Sequence, residues 1–318
     1  MQPFSTRPKY FLYYLRPMQS VPAARRLAVA ASKLYPGIHP DDVHLMQFLR
    51  ENGLEPTPAS WNDPTVDWSG FDAILIRTTW DYFRHYAEFL AWLARIEHLG
   101  VPTINPVPLL RWNSDKRYLL QLPVHGVDVI PTHVARAADL GTALSAMQGA
   151  HVVIKPTVSG TAWHTVRGIV GTPALSVAIS DLPQQMDYLI QPFLQEIERE
   201  GELSLLFFGG TFSHAVRKRP AANDYRVQSE FGGSVEVITP GADVIAAAER
   251  ALTAVAQLGY QGGSYARIDG VMSAGRFLIM EIEMIEPALY FGENKEAARR
   301  FAEVITQRVA LSLAPSPA

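Results

Sequence analysis

The segment RIDGVMSAGRFLIMEIE, residues 267–283, leaves the chain few ways to fold. Two strand-like runs flank a turn at residues 272–275, which predicts a tight antiparallel hairpin. Successive side chains of a strand point to opposite faces, so Glu281 and Glu283 look one way while Met280, Ile282 and Met284 look the other. The short turn brings Asp269 within a residue or two of Met280 and Glu281 across the ladder. Alternation alone equally describes the wet face of an antiparallel sheet. Two carboxylates about 6.6 Å apart repel by roughly 0.6 kcal/mol in water and about 2.5 kcal/mol at an effective dielectric near 20. A solvated face tolerates that repulsion, whereas a cleft demands a cation.

With 318 residues the chain exceeds the usual single-domain size, so subdomains around a shared cleft are expected. A composition of 48% hydrophobic and 19% charged residues is that of a globular protein. A net charge of -3, with arginines and lysines scattered, argues against nucleic acid as a partner. The absence of cysteine excludes disulfides, thiolate nucleophiles and cysteine-ligated metal centres. The N-terminal run MQPFSTRPKYFLYYLRP is too interrupted for a signal peptide or a spanning helix, so a cytoplasmic protein without a membrane partner is expected.

Strand-like residues 10–15 are followed by a helix that starts at Pro40-Asp41-Asp42 and stops at Gly53. FDAILIR reads as a buried strand, residues 86–98 as a helix ended by Gly100, and residues 101–104 as another strand. Such alternation implies a parallel, Rossmann-like sheet, without the GxGxxG of a dinucleotide site. Prolines between Asn105 and Trp112 suggest a boundary. Beyond it, Ser114-Asp115 caps a helix containing Lys116, a strand at 151–154 delivers Lys155, and a strand at 188–191 enters the hinge-like QPFLQEIEREGE. Further strands are expected at 204–208, 211–217, 262–269 and 277–285, with a helix over 243–258, so the second half reads as α+β and antiparallel. The tail SLAPSPA is expected to fray.

Three carboxylates converging on one face suit Mg²⁺, a hard cation that keeps water and shares substrate phosphates. Lys116 and Lys155 offer point charges from an opposite wall, and TVSGTA after Lys155 offers backbone amides, although surface lysines and an ordinary turn explain the same residues.

The order of the pieces is more informative. INP with NSDKRYL, VVIKP, LIQPFL, EGELS, HAVRKRP, DYRVQ, RIDG and MEIEMIEP together resemble the ATP-grasp superfamily, nearest to prokaryotic glutathione synthetase and RimK-like ligases, over residues 103–300. The resemblance implies an ATP-grasp fold: a pre-ATP-grasp domain over 1–111, a central lid subdomain over 112–190, and a C-terminal antiparallel subdomain with a metal site over 191–318. It implies that Lys116 and Lys155 bind ATP phosphates, with lid contacts from Ser159, Gly160 and Thr161. Gln191, Phe193 and Leu194 would form the adenine hinge, and Glu202 would hold the ribose, with Glu196 and Glu198 as alternatives. Lys218 and Arg226 would hold the γ-phosphate and the acyl phosphate, with Arg217 a rival to Lys218. Asp269, Glu281 and Glu283 would bind two Mg²⁺ ions, or Mn²⁺ in their place. The lid departs from many relatives in its single glycine and bulky Trp163, and Glu283 stands where many carry asparagine.

The chemistry implied is transfer of a γ-phosphoryl group to a substrate carboxylate, followed by attack of an amine on the acyl phosphate. No side-chain nucleophile is needed, in keeping with the lack of GxSxG, cysteine and HExxH. Two loops are candidates for substrate contact. RTTWDYFRH brings Arg77, Trp80 and Asp81 to a strand end, where the rival reading packs Trp80 and Tyr82 in the core and has Asp81 cap the next helix. EPALYF brings Glu286, Tyr290 and Phe291 just past the carboxylates. The leading expectation is an ADP-forming ligase joining a small amino acid or peptide to an amine. The others are an intramolecular cyclase, such as the ATP-grasp cyclase of the cycloserine pathway, and a nucleotide-binding regulator without turnover. Relatives of this kind are commonly dimers or tetramers, so a homo-oligomer is implied.

Overall fold

A computed structural model describes residues 24–34, 37–221 and 232–313. The strand expected at residues 10–15 and the tail from 314 lie outside the described residues. The chain passes through β1 (Arg25–Ala31), α1 (Val43–Glu51), β2 (Leu54–Ser60), β3 (Ala73–Thr78), α2 (Tyr86–Leu99) and α3 (Val107–Asn113). Next come β4 (His133–Arg136), α4 (Leu140–Ser145), β5 (His151–Pro156), β6 (Val166–Ile169), α5 (Pro173–Ser180) and β7 (Asp187–Pro192). The last part holds α6 (Glu196–Arg199), β8 (Glu202–Phe208), β9 (Thr211–Arg219), β10 (Ser234–Ile238), α7 (Ala242–Gln257), β11 (Tyr265–Ser273), β12 (Arg276–Glu283) and α8 (Lys295–Ser312).

The first sheet is parallel, in the order β2-β1-β3. β3 is buried along its whole length, which its unbroken apolar run requires when both faces are covered. Pro56 and Pro58 place β2 at an edge, where a missing amide costs no ladder bond. Gly53 and Gly100 end their helices with φ of 81° and 68°, a conformation a side chain would strain. Residues 101–104, expected as a strand, make only one parallel bridge, Ile74 to Thr103, because Pro102 cannot donate to a continuing ladder.

The second sheet is antiparallel, in the order β4-β7-β5-β6. The third runs β10-β9-β8-β11-β12, also antiparallel. Its expected hairpin is present, closed by Ala274 and Gly275, both with positive φ, as a primed two-residue turn demands. One face of this sheet packs on α7 through Leu203, Leu205, Phe207 and Ile268. α8 is absent from the sequence reading, yet Phe301, Ala302, Ile305 and Val309 recur at helical spacing and are all buried. They pack with Leu27, Val29 and α1 of the first unit and with Leu206 and Phe208 of β8, so α8 joins the first sheet to the third. Among the described residues no helix is long and apolar enough to cross a membrane.

Candidate active site

A cavity of about 500 Å³ lies between the second and third sheets and the loops of the first. Strand register builds its floor. Ser204, Asp269 and Glu281 are successive partners across β8, β11 and β12, Glu202 pairs with Lys218, and Arg267 pairs with Glu283. Asp269 accepts from the Ser204 hydroxyl at 2.5 Å and from Arg267 Nη2 at 2.8 Å, with Lys218 Nζ at 3.6 Å. Burial alone would raise its pKa, but Arg267 and Lys218 outweigh it and hold the carboxyl well below the usual range. Lys218 in turn bridges to Glu202, and although burial opposes its charge, Asp269 and Glu202 raise its pKa. Arg267 Nη2 also donates to Glu283 at 2.5 Å. Burial lifts Glu283 to about 7 against the pull of Arg267, with Glu281 and Asp269 adding repulsion.

The opposite wall comes from the second sheet. Lys116 follows Asp115, whose side chain caps the Arg117 amide, and its Nζ lies 3.0 Å from Glu281 and 2.5 Å from the Ser159 carbonyl. Lys155 lines the cavity from β5, and burial lowers its pKa against the attraction of Glu281. Gln191, Phe193 and Leu194 line it where β7 ends. Glu202 reaches the cavity, whereas its alternatives are spent elsewhere, Glu196 on Ser273 and Glu198 on Arg167. Ser159, Gly160 and Thr161 cover one side; a Cβ on Gly160 would stand 2.6 Å from the Phe83 ring. Thr161, Ala162 and His164 all have positive φ, so this lid is held in a strained shape.

The remaining end is built by the stretch after β12. Trp80 Nε1 donates to the Glu286 carbonyl at 3.0 Å, Arg77 to that of Pro287 at 2.9 Å, Arg267 to that of Ala288 at 3.2 Å, and the Gly292 amide to Asp41 at 2.5 Å. His214 Nε2 contacts the Leu289 carbonyl at 3.0 Å, and burial lowers that imidazole to about 4. Glu286 and Tyr290 line the cavity beside Trp80, Tyr82 and His39. Burial raises Glu286 to about 8, with Glu283 adding repulsion.

Several expected contacts fall elsewhere. Arg77 is buried against Asp42 at 2.9 Å and supports the loop from behind, since the end of β3 points it into the core. Asp81 accepts from Trp61 Nε1 at 2.8 Å and makes no side-chain cap, so neither substrate contact nor capping describes it. Arg217 sits on the face of β9 opposite Lys218, paired with Glu236 at 3.2 Å. Phe291 is fully buried among Phe208 and Phe301. Arg226 lies outside the described residues. Arg267, which ties Asp269 and Glu283 to the Ala288 carbonyl of the stretch after β12, was missed by the sequence reading. Its place two residues before Asp269 on one strand, hence on the same face, was the available signal.

Asp269, Glu281 and Glu283 present the oxygen donors that Mg²⁺ prefers. Among the described residues no three acidic or histidine side chains form a ready metal cluster, because these carboxylates converge on Lys116 and Arg267 instead of on one point. The donor set therefore fits Mg²⁺ in kind, and holding the ion would require these carboxylates to give up part of their pairing with Lys116 and Arg267.

The three sheets, with lysines facing carboxylates across a cavity between them, have the arrangement of an ATP-grasp fold. Residues 27–105 match the family described as the N-terminal domain of D-cycloserine synthetase DcsG. The cycloserine biosynthesis protein DcsG of Streptomyces lavendulae is 33% identical over 280 residues, 83% of this chain and 92% of that protein. The crystal structure of D-cycloserine synthetase DcsG superposes with a TM-score of 0.79 at 31% identity, covering 89% of this chain and 99% of that one. The D-alanine–D-alanine ligase of Bacillus anthracis complexed with ATP shares the fold, with a TM-score of 0.66 at 17% identity over 91% of this chain and 98% of that one. The chain belongs to the ATP-grasp superfamily, in the family of the DcsG enzymes. It is an ATP-dependent, ADP-forming ligase that makes C–N bonds. Among proteins of the same fold, the Bacillus anthracis ligase was crystallised with ATP and the ATP-grasp ligase PsnB with Mg and ADP.

Proposed function

We propose that this ligase closes a ring within one amino-acid-derived molecule instead of joining two. The observation that carries the reading is the 33% identity extending over 92% of a cycloserine biosynthesis protein. D-cycloserine is a cyclic compound in which the carboxyl carbon of an amino acid is bonded to a nitrogen borne on its own side-chain oxygen. A carboxylate–amine ligase acting on a β-aminooxy amino acid would form that bond internally. The γ-phosphoryl group passes to the carboxylate, giving ADP and an acyl phosphate; the nitrogen then attacks the acyl carbon, inorganic phosphate leaves, and the nitrogen sheds a proton to solvent.

The residues divide this work between them. Lys116 and Lys155 would hold the ATP phosphates across from the carboxylate floor, both lining the cavity. Gln191, Phe193 and Leu194 would receive the adenine where β7 ends, and Glu202 the ribose. Lys218, buried and kept charged by Asp269 and Glu202, would hold the transferred phosphoryl group, as would Arg226. Arg267 would steady charge on the acyl phosphate from its place between Asp269, Glu283 and the acceptor loop. Asp269, Glu281 and Glu283 would hold the metal, two Mg²⁺ ions or Mn²⁺ in their place, which when bound neutralises charge on the moving phosphoryl. The reading extends to a cytoplasmic homo-oligomer.

The test is release of ADP and phosphate with Mg-ATP. Release requiring one organic substrate, O-amino-D-serine, supports the cyclase. A requirement for two partners establishes the intermolecular ligase instead.

A further inference from the structure

The carboxylates of the cavity fall into two groups. Each of the four on or beside the phosphate side already has a cation: Glu202 has Lys218, Asp269 has Arg267 and Lys218, Glu281 has Lys116, and Glu283 has Arg267. Glu286 differs. It is half-buried in the cavity wall, and among the described residues no cation pairs with its carboxyl. Lys116, whose charge does reach it, is engaged by Glu281 and the Ser159 carbonyl. The other acids at this end are spent or open to water: Asp41 accepts from the Gly292 amide, and Glu293 is exposed.

The backbone around Glu286 is fixed. Its own carbonyl and those of Pro287 and Ala288 each receive a side-chain donor from a different element, which fixes the point on the cavity wall from which the carboxyl projects. Trp80, Tyr82 and Tyr290 line the same cavity. Trp80 touches the Glu286 backbone, and the Tyr290 ring already carries the Arg267 guanidinium 5.9 Å from its centroid, which shows that an aromatic ring of this cavity accepts a cation. A half-buried carboxylate on the wall of a substrate cavity, with no cation of its own among the described residues, is completed by a cation that arrives with the substrate.

We propose that Glu286 is the specificity residue that reads the α-ammonium group of the substrate, with Trp80 beside that group. The proposal rests on the ring-closing reading and adds to it a preference for a free amine beside the activated carboxylate. That amine is distinct from the nitrogen that closes the ring, so substrates lacking it can still react while binding poorly.

The experiment compares O-amino-D-serine with 3-aminooxypropanoate, the same molecule without the α-amine, by ADP release in the wild type and in Glu286→Gln. The wild type should favour the amine-bearing compound by about 100-fold in kcat/KM, mainly through KM, the scale of a lost partner in a buried charge pair. Glu286→Gln should raise KM for O-amino-D-serine by about that factor while leaving KM for ATP and for 3-aminooxypropanoate unchanged. Glu286→Asp should restore part of the discrimination, which a structural role would not produce. Equal losses for both compounds, or no loss, overturn the assignment while leaving the cyclase intact. A wild type that turns over neither compound overturns the cyclase reading and this proposal with it.

Discussion

The two ends of the cavity are built by different means. At the phosphate end, neighbouring strands of one antiparallel sheet set Lys218, Glu202, Ser204, Asp269 and Glu281 side by side, and every acid there meets a base before any ligand arrives. At the acceptor end, irregular backbone after β12 is held by side chains drawn from the first and third sheets, and Glu286 has no such base among the described residues. An electrostatically balanced floor keeps a machine common to a family in one geometry. An unbalanced wall is where one family member distinguishes its substrate.

Mutations separate the two ends. The largest effect is expected for Asp269→Ala, which strips Arg267 and Lys218 of a shared buried partner; stability should fall by about 3–5 kcal/mol in urea unfolding, with turnover lost. A variant as stable as the wild type would mean the floor is not balanced by Asp269. Glu281→Gln keeps the shape of the side chain and weakens its hold on Lys116, so unfolding should stay cooperative while ADP release falls by roughly 10²–10³-fold, the scale of a removed electrostatic stabiliser. Normal turnover with Mg²⁺ would detach Glu281 from the metal. Lys155→Ala should weaken ATP binding by about tenfold or more in calorimetry while leaving O-amino-D-serine binding alone, because the lysine stands on the nucleotide wall. Arg217→Ala, on the outer face of β9, should change turnover hardly at all and stability by less than about 0.5 kcal/mol.

Both ends should contribute to the pH dependence in the same direction. Glu286 and Glu283 have folded-state values near 8 and 7, above the ordinary 4.5. As pH rises from about 4.5, these glutamates ionise in the unfolded chain before they do in the fold, so their contribution lowers stability progressively up to about pH 8. Urea midpoints measured across that window should fall less steeply in Glu286→Gln than in the wild type. Identical slopes would mean that Glu286 ionises freely.

The difference between the ends also explains what the sequence made legible. Alternation within MEIE, with RIDG across a tight turn, brought Asp269 within a residue or two of Glu281 because strand geometry is local and periodic, and the register pairs the two. The same rule would have found Arg267 had the cation of RIDG been weighed with its acid. Arg77 and Asp81 were misread because loop side chains take direction from tertiary partners such as Asp42 and Trp61, which have no sequence period to announce them. β2 escaped because its two prolines mimic a loop, a disguise that only an edge position permits. α8 was within reach, since Phe301, Ala302, Ile305 and Val309 repeat at helical spacing, but its destination on the first sheet was not.

That destination bears on how the molecule comes into being at the ribosome. The first unit's sheet is made early, yet one of its faces waits for Phe301, Ile305 and Val309 of the helix translated after every other described element. Until then its apolar surface stands open, and the closing contacts span most of the chain, a slow and aggregation-prone order of events. A nascent chain halted before α8 should therefore be a client for chaperones, with its first unit unable to finish folding alone.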